Sequence, residues 1–162
     1  MSTTMPRKKD KQSVRFHIRW MIERDMPSVL QIDSLSFGSR SWSDKEFTHN
    51  LKQRDTIGMI AELDEEVVAF MVYELHKNRL HVINFAVHPK YRRMGIGSAM
   101  VEKLISKLSW QRRNRIEFDV YDDKLDTHLF LKSIGFRAEK IDCCQETDQQ
   151  FYTFVYRARK ES

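Results

Sequence analysis

Residues 80–121 read as strand, glycine turn, helix and strand, and this order restricts the fold more than any other feature of the chain. Leu80 to Val87 is an apolar run that ends at His88-Pro89. The basic stretch Lys90-Tyr91-Arg92-Arg93 follows, and then Gly95 and Gly97. From Gly95 onward, apolar residues fall at 96, 100, 101, 104, 105 and 108, the stripe of a helix that buries one face. Arg115 to Tyr121 then reads as a strand. Two strands joined through a helix run parallel in one sheet, because the crossover returns the chain to its starting edge. Upstream, Ile57–Leu63 and Val67–Leu75 flank the tight Asp64-Glu65 turn, and His76-Lys77-Asn78-Arg79 leads into the Leu80 strand. Those three strands are expected as an antiparallel meander. The expected fold class is therefore α/β: a mixed, mostly antiparallel sheet with one parallel pair, flanked by helices.

The remaining segments complete a β-α-α-β-β-β-α-β-α-β-β order. Val14 to Met21 is expected as a first strand, with Phe16, Ile18 and Trp20 on one face. Asp25 is the expected N-cap of a helix with Pro27 in its first turn, ending near Phe37-Gly38. Ser43 and Glu46 have capping-box spacing ahead of Phe47 and Leu51. Lys124 to Ser133 reads as a helix closed by Gly135, and Phe136–Asp142 and Phe151–Arg157 are the last strands.

The glycine turn has a chemistry of its own. Gly95 and Gly97 let main chain approach a ligand closely, and the first N–H groups of a helix have no acceptor within it. A phosphate there meets donors and the positive helix end, with Arg92 and Arg93 adding charge. A dinucleotide fingerprint does not fit, since Met100 stands where a third glycine belongs. A P-loop lacks its Gly-Lys-Ser/Thr. The plain alternative is a helix start whose glycines only make a turn.

The wider context carries a resemblance. Arg92-Arg93-Met94-Gly95-Ile96-Gly97 resembles the Q/R-x-x-G-x-G/A signature of the GCN5-related N-acetyltransferases (GNAT). Ala86-Val87-His88-Pro89 is similar to the end of that family's fourth strand, and Phe130-Leu131-Lys132-Ser133-Ile134-Gly135-Phe136 to its "LYxxxGF" helix ending. Phe37-Gly38-Ser39-Arg40-Ser41-Trp42-Ser43 and Phe118-Asp119-Val120 resemble the "FxxxxWS" and "LEV" segments of bacterial members that acetylate the N-terminal alanine of a ribosomal protein. The likeness covers about residues 14–157.

The resemblance implies an enzyme that moves acetyl from acetyl-CoA to an amine, with a protein N-terminus as acceptor and a ribosomal protein as one candidate. It implies that the fourth and fifth strands splay apart to admit the pantetheine arm against Phe85, Ala86 and Val87. The pyrophosphate would sit over Arg93, Met94, Gly95, Ile96, Gly97 and Ser98, with Arg92 as a further cofactor-binding cation. Lys124 occupies the place of a cofactor-touching asparagine. Asp119 stands at the position of a glutamate general base, one methylene shorter, with Glu117 as the alternative. Leu131 replaces a tyrosine proton donor, and His128, Tyr121, Tyr152 and Tyr156 are the candidate replacements, His128 first. Gln145-Glu146 stands where related enzymes carry two acceptor-lining tyrosines. These departures favour a second expectation, a degenerate acyl-CoA-binding regulatory or interaction module.

Charge and cysteine placement narrow the partners. Arg7, Lys8, Lys9, Lys11 and Arg15 stand against Asp10 alone, so residues 1–15 hold +4 of the +5 net charge. Residues 1–13 bury almost nothing and are expected as a disordered basic tail, ahead of a single domain over 14–162. Beyond a weak contact through this tail, no nucleic-acid binding is expected. No apolar run reaches the ~18–20 residues of a membrane span, and no signal-peptide h-region is present. Cys143 and Cys144 are the only cysteines, a poor zinc pair, so no metal ligands are read and a cytoplasmic setting is expected.

Overall fold

The computed structural model describes residues 15–160. The basic tail expected over 1–13 lies outside them, as does Val14. Among the described residues, seven strands form one sheet: β1 (Phe16–Trp20), β2 (Thr56–Leu63), β3 (Glu66–Leu75), β4 (Arg79–Val87), β5 (Arg115–Tyr121), β6 (Arg137–Cys143) and β7 (Gln150–Arg157). Among the same residues, four α-helices accompany them: α1 (Met26–Phe37), α2 (Asp44–Leu51), α3 (Ile96–Ile105) and α4 (Leu125–Ile134). The sheet order is β1-β2-β3-β4-β5-β7-β6, and β4–β5 is its parallel pair. The mixed α/β architecture is thus the one the sequence predicts. Among the described residues, no helix is long and apolar enough to cross a membrane.

Two apolar layers explain the strand sequences. On one face, Val29 and Ile32 of α1 and Phe47 of α2 pack on Ile60, Phe70, Val72 and Ala86. On the other, Ile96, Met100, Val101 and Leu104 of α3 and Leu131 of α4 pack on Met71, Tyr73, Leu80, Val82, Ile116 and Phe118. Central β3 is buried on both faces from Val68 to Tyr73, so it reads as an unbroken apolar run. In β4, Leu80, Val82, Asn84 and Ala86 alternate with less buried neighbours.

The turns follow their residues. Asp64 and Glu65 take φ of 49° and 67°, the left-handed pair that a two-residue hairpin turn demands. The Ser43 hydroxyl accepts the Glu46 N–H and the Glu46 carboxylate accepts the Ser43 N–H, so the capping box forms as expected.

Two expectations are corrected. Trp20 does not share the buried face of Phe16 and Ile18; it ends an edge strand, 58% exposed, with the Lys107 ammonium 5.6 Å from its ring centroid. Asp25 holds the N-cap position of α1 but makes no cap bond to that helix. Its carboxylate turns back to the Ile22 N–H at 2.8 Å and to the Arg19 guanidinium, closing a short 3-10 turn over Glu23–Asp25.

Asp33 ties the first helix to the sheet. It is fully buried in α1, accepts the Trp42 N–H at 2.6 Å and accepts a hydrogen bond from Asn84 Nδ2 at 3.0 Å. Burial pushes its carboxyl above the usual range, against both hydrogen bonds. Asp33→Ala leaves two donors short of an acceptor, so unfolding free energy is expected to fall by about 2–3 kcal/mol in urea denaturation. A change below about 0.5 kcal/mol would mean that water replaces the carboxylate at both donors.

Candidate active site

A bulge opens the sheet. Along β3, Val72 faces Asn84 but the next residue, Tyr73, faces Val82, so Ile83 is an extra residue in β4. Such an insertion bends its strand. Parallel pairing with β5 runs from Arg79↔Arg115 to Val82↔Phe118 and stops there. Beyond it β4 stays on β3 to Val87, while β5 stays on β7 to Tyr121. The expected splay is present, and its cause is the bulge.

Main-chain alternation fixes what faces the gap. The His88 N–H bonds to the Val68 carbonyl, so even-numbered residues at the end of β4 turn their main chain toward β3. Phe85 and Val87 therefore turn theirs toward the gap. Ala86 turns away and packs its side chain in the α1–α2 layer, which leaves two of the three expected pairing residues on the cleft side. The gap forms a cavity of about 260 Å³, with Asn84 and Phe85 on one wall, Asp119 and Tyr121 on the other, and Arg40 and Lys124 at its rim.

At the glycine turn, the first intrahelical bond of α3 runs from the Ala99 N–H to the Gly95 carbonyl at 3.1 Å. The N–H groups of Ile96, Gly97 and Ser98 lie ahead of it, free of helical acceptors. Arg93 and Gly95 take φ of 63° and 83° and curl the loop around this end. Gly97 has a packing reason as well: an added Cβ would lie 3.3 Å from both the Phe85 and Phe130 rings. Ile96 is 1% exposed, so only its main chain faces outward, whereas Met94 is an exposed side chain. Arg92 donates through Nε to the Val87 carbonyl at 3.1 Å and through Nη2 to the Ser36 hydroxyl at 3.3 Å.

Asp119 sits in a polar row that crosses four strands. Its Oδ2 lies 2.8 Å from His81 Nε2, and its Oδ1 accepts the Thr153 hydroxyl at 2.9 Å. His81 Nδ1 is 3.4 Å from Glu74 Oε1 on β3. Burial pushes the Asp119 carboxyl up, but the hydrogen bond and charge of His81, with Thr153, outweigh it and hold the group below its ordinary value. The hydrogen bond to Asp119 raises the His81 imidazole, against burial. His81, Glu74 and Thr153 escaped the sequence reading. The available signal was polar residues at outward positions of apolar strands, but it becomes a row only once strand register is known.

Other expected residues separate from Asp119. His128 does not line the cavity: its Nε2 meets the Tyr121 carbonyl at 2.9 Å and its ring packs edge-on against Tyr152 and Phe154. That geometry suits a strut behind β5. Tyr152 and Tyr156 also lie outside the cavity lining; of the four candidate donors, Tyr121 alone contributes to it. The Arg40 guanidinium stacks 4.2 Å from the Tyr121 ring centroid and pairs with Asp123 at 3.1 Å. Leu131 is fully buried core. Glu117 is held by Arg79 at 3.2 Å and Arg115 at 3.0 Å, which removes it as a free base. Lys124 donates to the Ser36 carbonyl and lies 5.1 Å from the Phe37 ring centroid, bridging α4 to the end of α1. Burial and the neighbouring Arg40 push its ammonium below the ordinary lysine value.

Several known proteins are similar to this chain. A ribosomal-protein-alanine N-acetyltransferase of Salmonella typhimurium is 25% identical over 117 residues, covering 72% of this chain and 78% of that relative. The crystal structure of the ribosomal-protein-alanine N-acetyltransferase of Escherichia coli matches with a TM-score of 0.77 at 19% identity, over 91% of this chain and 97% of that one. Arabidopsis thaliana NAA60 in complex with acetyl-CoA matches with a TM-score of 0.73 at 15% identity, over 88% and 99%. These two structural likenesses are likenesses of fold. The family model for the acetyltransferase (GNAT) family matches residues 23–136, from the turn before α1 to the residue before β6. With that match over more than half its length, the chain belongs to the GNAT family of acetyltransferases.

Proposed function

We propose that the protein transfers an acetyl group from acetyl-CoA to the α-amine of a protein N-terminus in the cytoplasm. The observation that carries the reading is the bulge-opened cleft, which leaves β4 main-chain groups free on one wall and sets Asp119 on the other. The pantetheine arm pairs with Phe85 and Val87, the pyrophosphate takes the N–H groups of Ile96, Gly97 and Ser98, and Arg93 adds charge. An acceptor resembling a ribosomal protein's N-terminal alanine is supported by the activity for which the Salmonella relative is named.

The chemistry follows from the reacting groups. An α-ammonium has a pKa of about 8 and must lose a proton before it attacks. Asp119 accepts that proton, directly or through a water, while the His81 Nε2–H steadies the carboxylate by hydrogen bonding. The amine nitrogen then bonds to the thioester carbon, and a cleft-facing N–H of Phe85 or Val87 stabilises the oxyanion. The C–S bond breaks as the carbonyl reforms. A thiol of pKa about 8.5 leaves readily near neutral pH; Tyr121 in the cavity wall protonates it and regains a proton from the newly acylated nitrogen, which must lose one to become the amide.

A catalytically degenerate acyl-CoA module is the second reading, favoured by the burial of Leu131 where the family signature has a tyrosine. Incubation with acetyl-CoA and short peptides of varied N-termini separates the two. Acetylated peptide in step with free thiol is expected, fastest with an N-terminal alanine. Saturable acetyl-CoA binding with no turnover on any peptide would establish the module instead.

A further inference from the structure

Glu74, His76 and His81 converge at the β3–β4 hairpin. Glu74 and His81 are cross-strand partners, and His76 follows β3 in the turn. One ligand atom from each lies within 4.8 Å of the other two. Glu74 Oε1 stands 3.2 Å from His76 Nε2 and 3.4 Å from His81 Nδ1. A tetrahedral zinc ion with bonds of 2.0–2.1 Å separates its ligands by about 3.3 Å, so both distances are already those of a metal shell. We propose that Glu74 Oε1, His76 Nε2 and His81 Nδ1 form a three-ligand site for a divalent transition metal of the zinc class, with a fourth position open to water.

Two further features fit this ligand class. The other nitrogen of His81 is hydrogen-bonded to the Asp119 carboxylate at 2.8 Å. A carboxylate on the far nitrogen of a ligating imidazole fixes its tautomer and aims the free nitrogen at the metal. His76 is also held from behind, because the Arg113 Nε–H donates to its carbonyl at 2.8 Å. The nearby Glu117 is occupied by Arg79 and Arg115, so it does not compete for the ion. Two imidazoles and one carboxylate select zinc, cobalt, nickel or copper over magnesium, whose preferred ligands are all oxygen. The position of the site gives it a regulatory meaning: a filled shell commits His81 to donating toward Asp119.

The test uses the full chain with Cys143→Ser and Cys144→Ser, which removes the thiol pair as a rival zinc ligand. After chelator treatment the protein is titrated calorimetrically with zinc chloride, and in parallel with magnesium chloride. One zinc ion per chain is expected, with no magnesium heat. His76→Ala and Glu74→Gln are each expected to weaken zinc binding at least about 10-fold, with thermal unfolding checked in both. Absence of saturable zinc binding, or binding that either folded variant leaves unchanged, overturns the site. Neither substrate enters the measurement, so its outcome is independent of the acetyl-transfer reading.

Discussion

Asp119→Asn is expected to lower kcat for peptide acetylation by about 10²–10³-fold while leaving KM for acetyl-CoA within about threefold. The substitution preserves shape, and the new amide oxygen still accepts the Thr153 hydroxyl. What disappears is the negative charge that receives the amine proton and pairs with His81. The pH dependence gives a second readout of the same pair. In the wild type, kcat/KM rises with pH as His81 loses its proton, at a midpoint displaced above the ordinary imidazole value because Asp119 raises it. In the Asn variant that midpoint falls, since the largest contribution raising it is gone.

The same shifts set a stability window whose sign is fixed. Asp119 is depressed in the fold, so its contribution is present above the unfolded carboxyl pKa of about 3.9 and is lost as pH falls through the folded value. His81 is raised, so its contribution is complete below about 6.5 and is lost as pH rises through the folded value. The pair therefore stabilises most between about pH 4 and 6.5. Asp119→Asn should lower stability within that window and flatten the slopes on either side of it. A variant with wild-type kcat would remove Asp119 from the proton path, whatever the cofactor site does.

The elements were legible because their residues carry the periodicity. The α3 stripe, the Ser43–Glu46 capping box and the Asp64-Glu65 turn each encode a local geometry, and each forms. What escaped is set by register. Nothing local to Ile83 marks it as the bulged residue; that depends on how Val72 and Tyr73 meet β4. His81 reads as one polar position in an apolar strand until Glu74 is placed opposite it and Asp119 beside it. His128 erred for a related reason. Helical spacing put it on the side of Leu131, but that side of α4 covers the sheet, where Tyr152 and Phe154 enclose the imidazole. Gly97 was legible as a close approach, although the approaching groups in the fold are the Phe85 and Phe130 rings.

That double role of Gly97 makes Ser98 the sharper probe of the phosphate site. Ser98→Asp is expected to weaken acetyl-CoA binding by roughly 30-fold, equivalent to about 2 kcal/mol, while leaving the fold as stable as before or slightly more so. The two effects have opposite signs for one reason. A carboxylate in the first turn of α3 faces the free N–H groups of Ile96 and Gly97 and the positive helix end, so the unliganded protein gains a few tenths of a kcal/mol. A pyrophosphate seeks those same donors and meets a like charge within a few ångströms. Two unit charges 4 Å apart near a surface repel by about 4 kcal/mol, and salt and side-chain rotation reduce this toward half. Gly97→Asp would not separate the effects, because its Cβ forces two aromatic rings to move whether or not a ligand binds there. If α3 begins with glycines only to make a turn, Ser98→Asp raises stability and leaves acetyl-CoA affinity untouched. Loss of affinity in a variant that melts at or above the wild-type temperature can come only from competition for the helix end. Calorimetric titration of acetyl-CoA, paired with a thermal melt of the same sample, decides between these two outcomes.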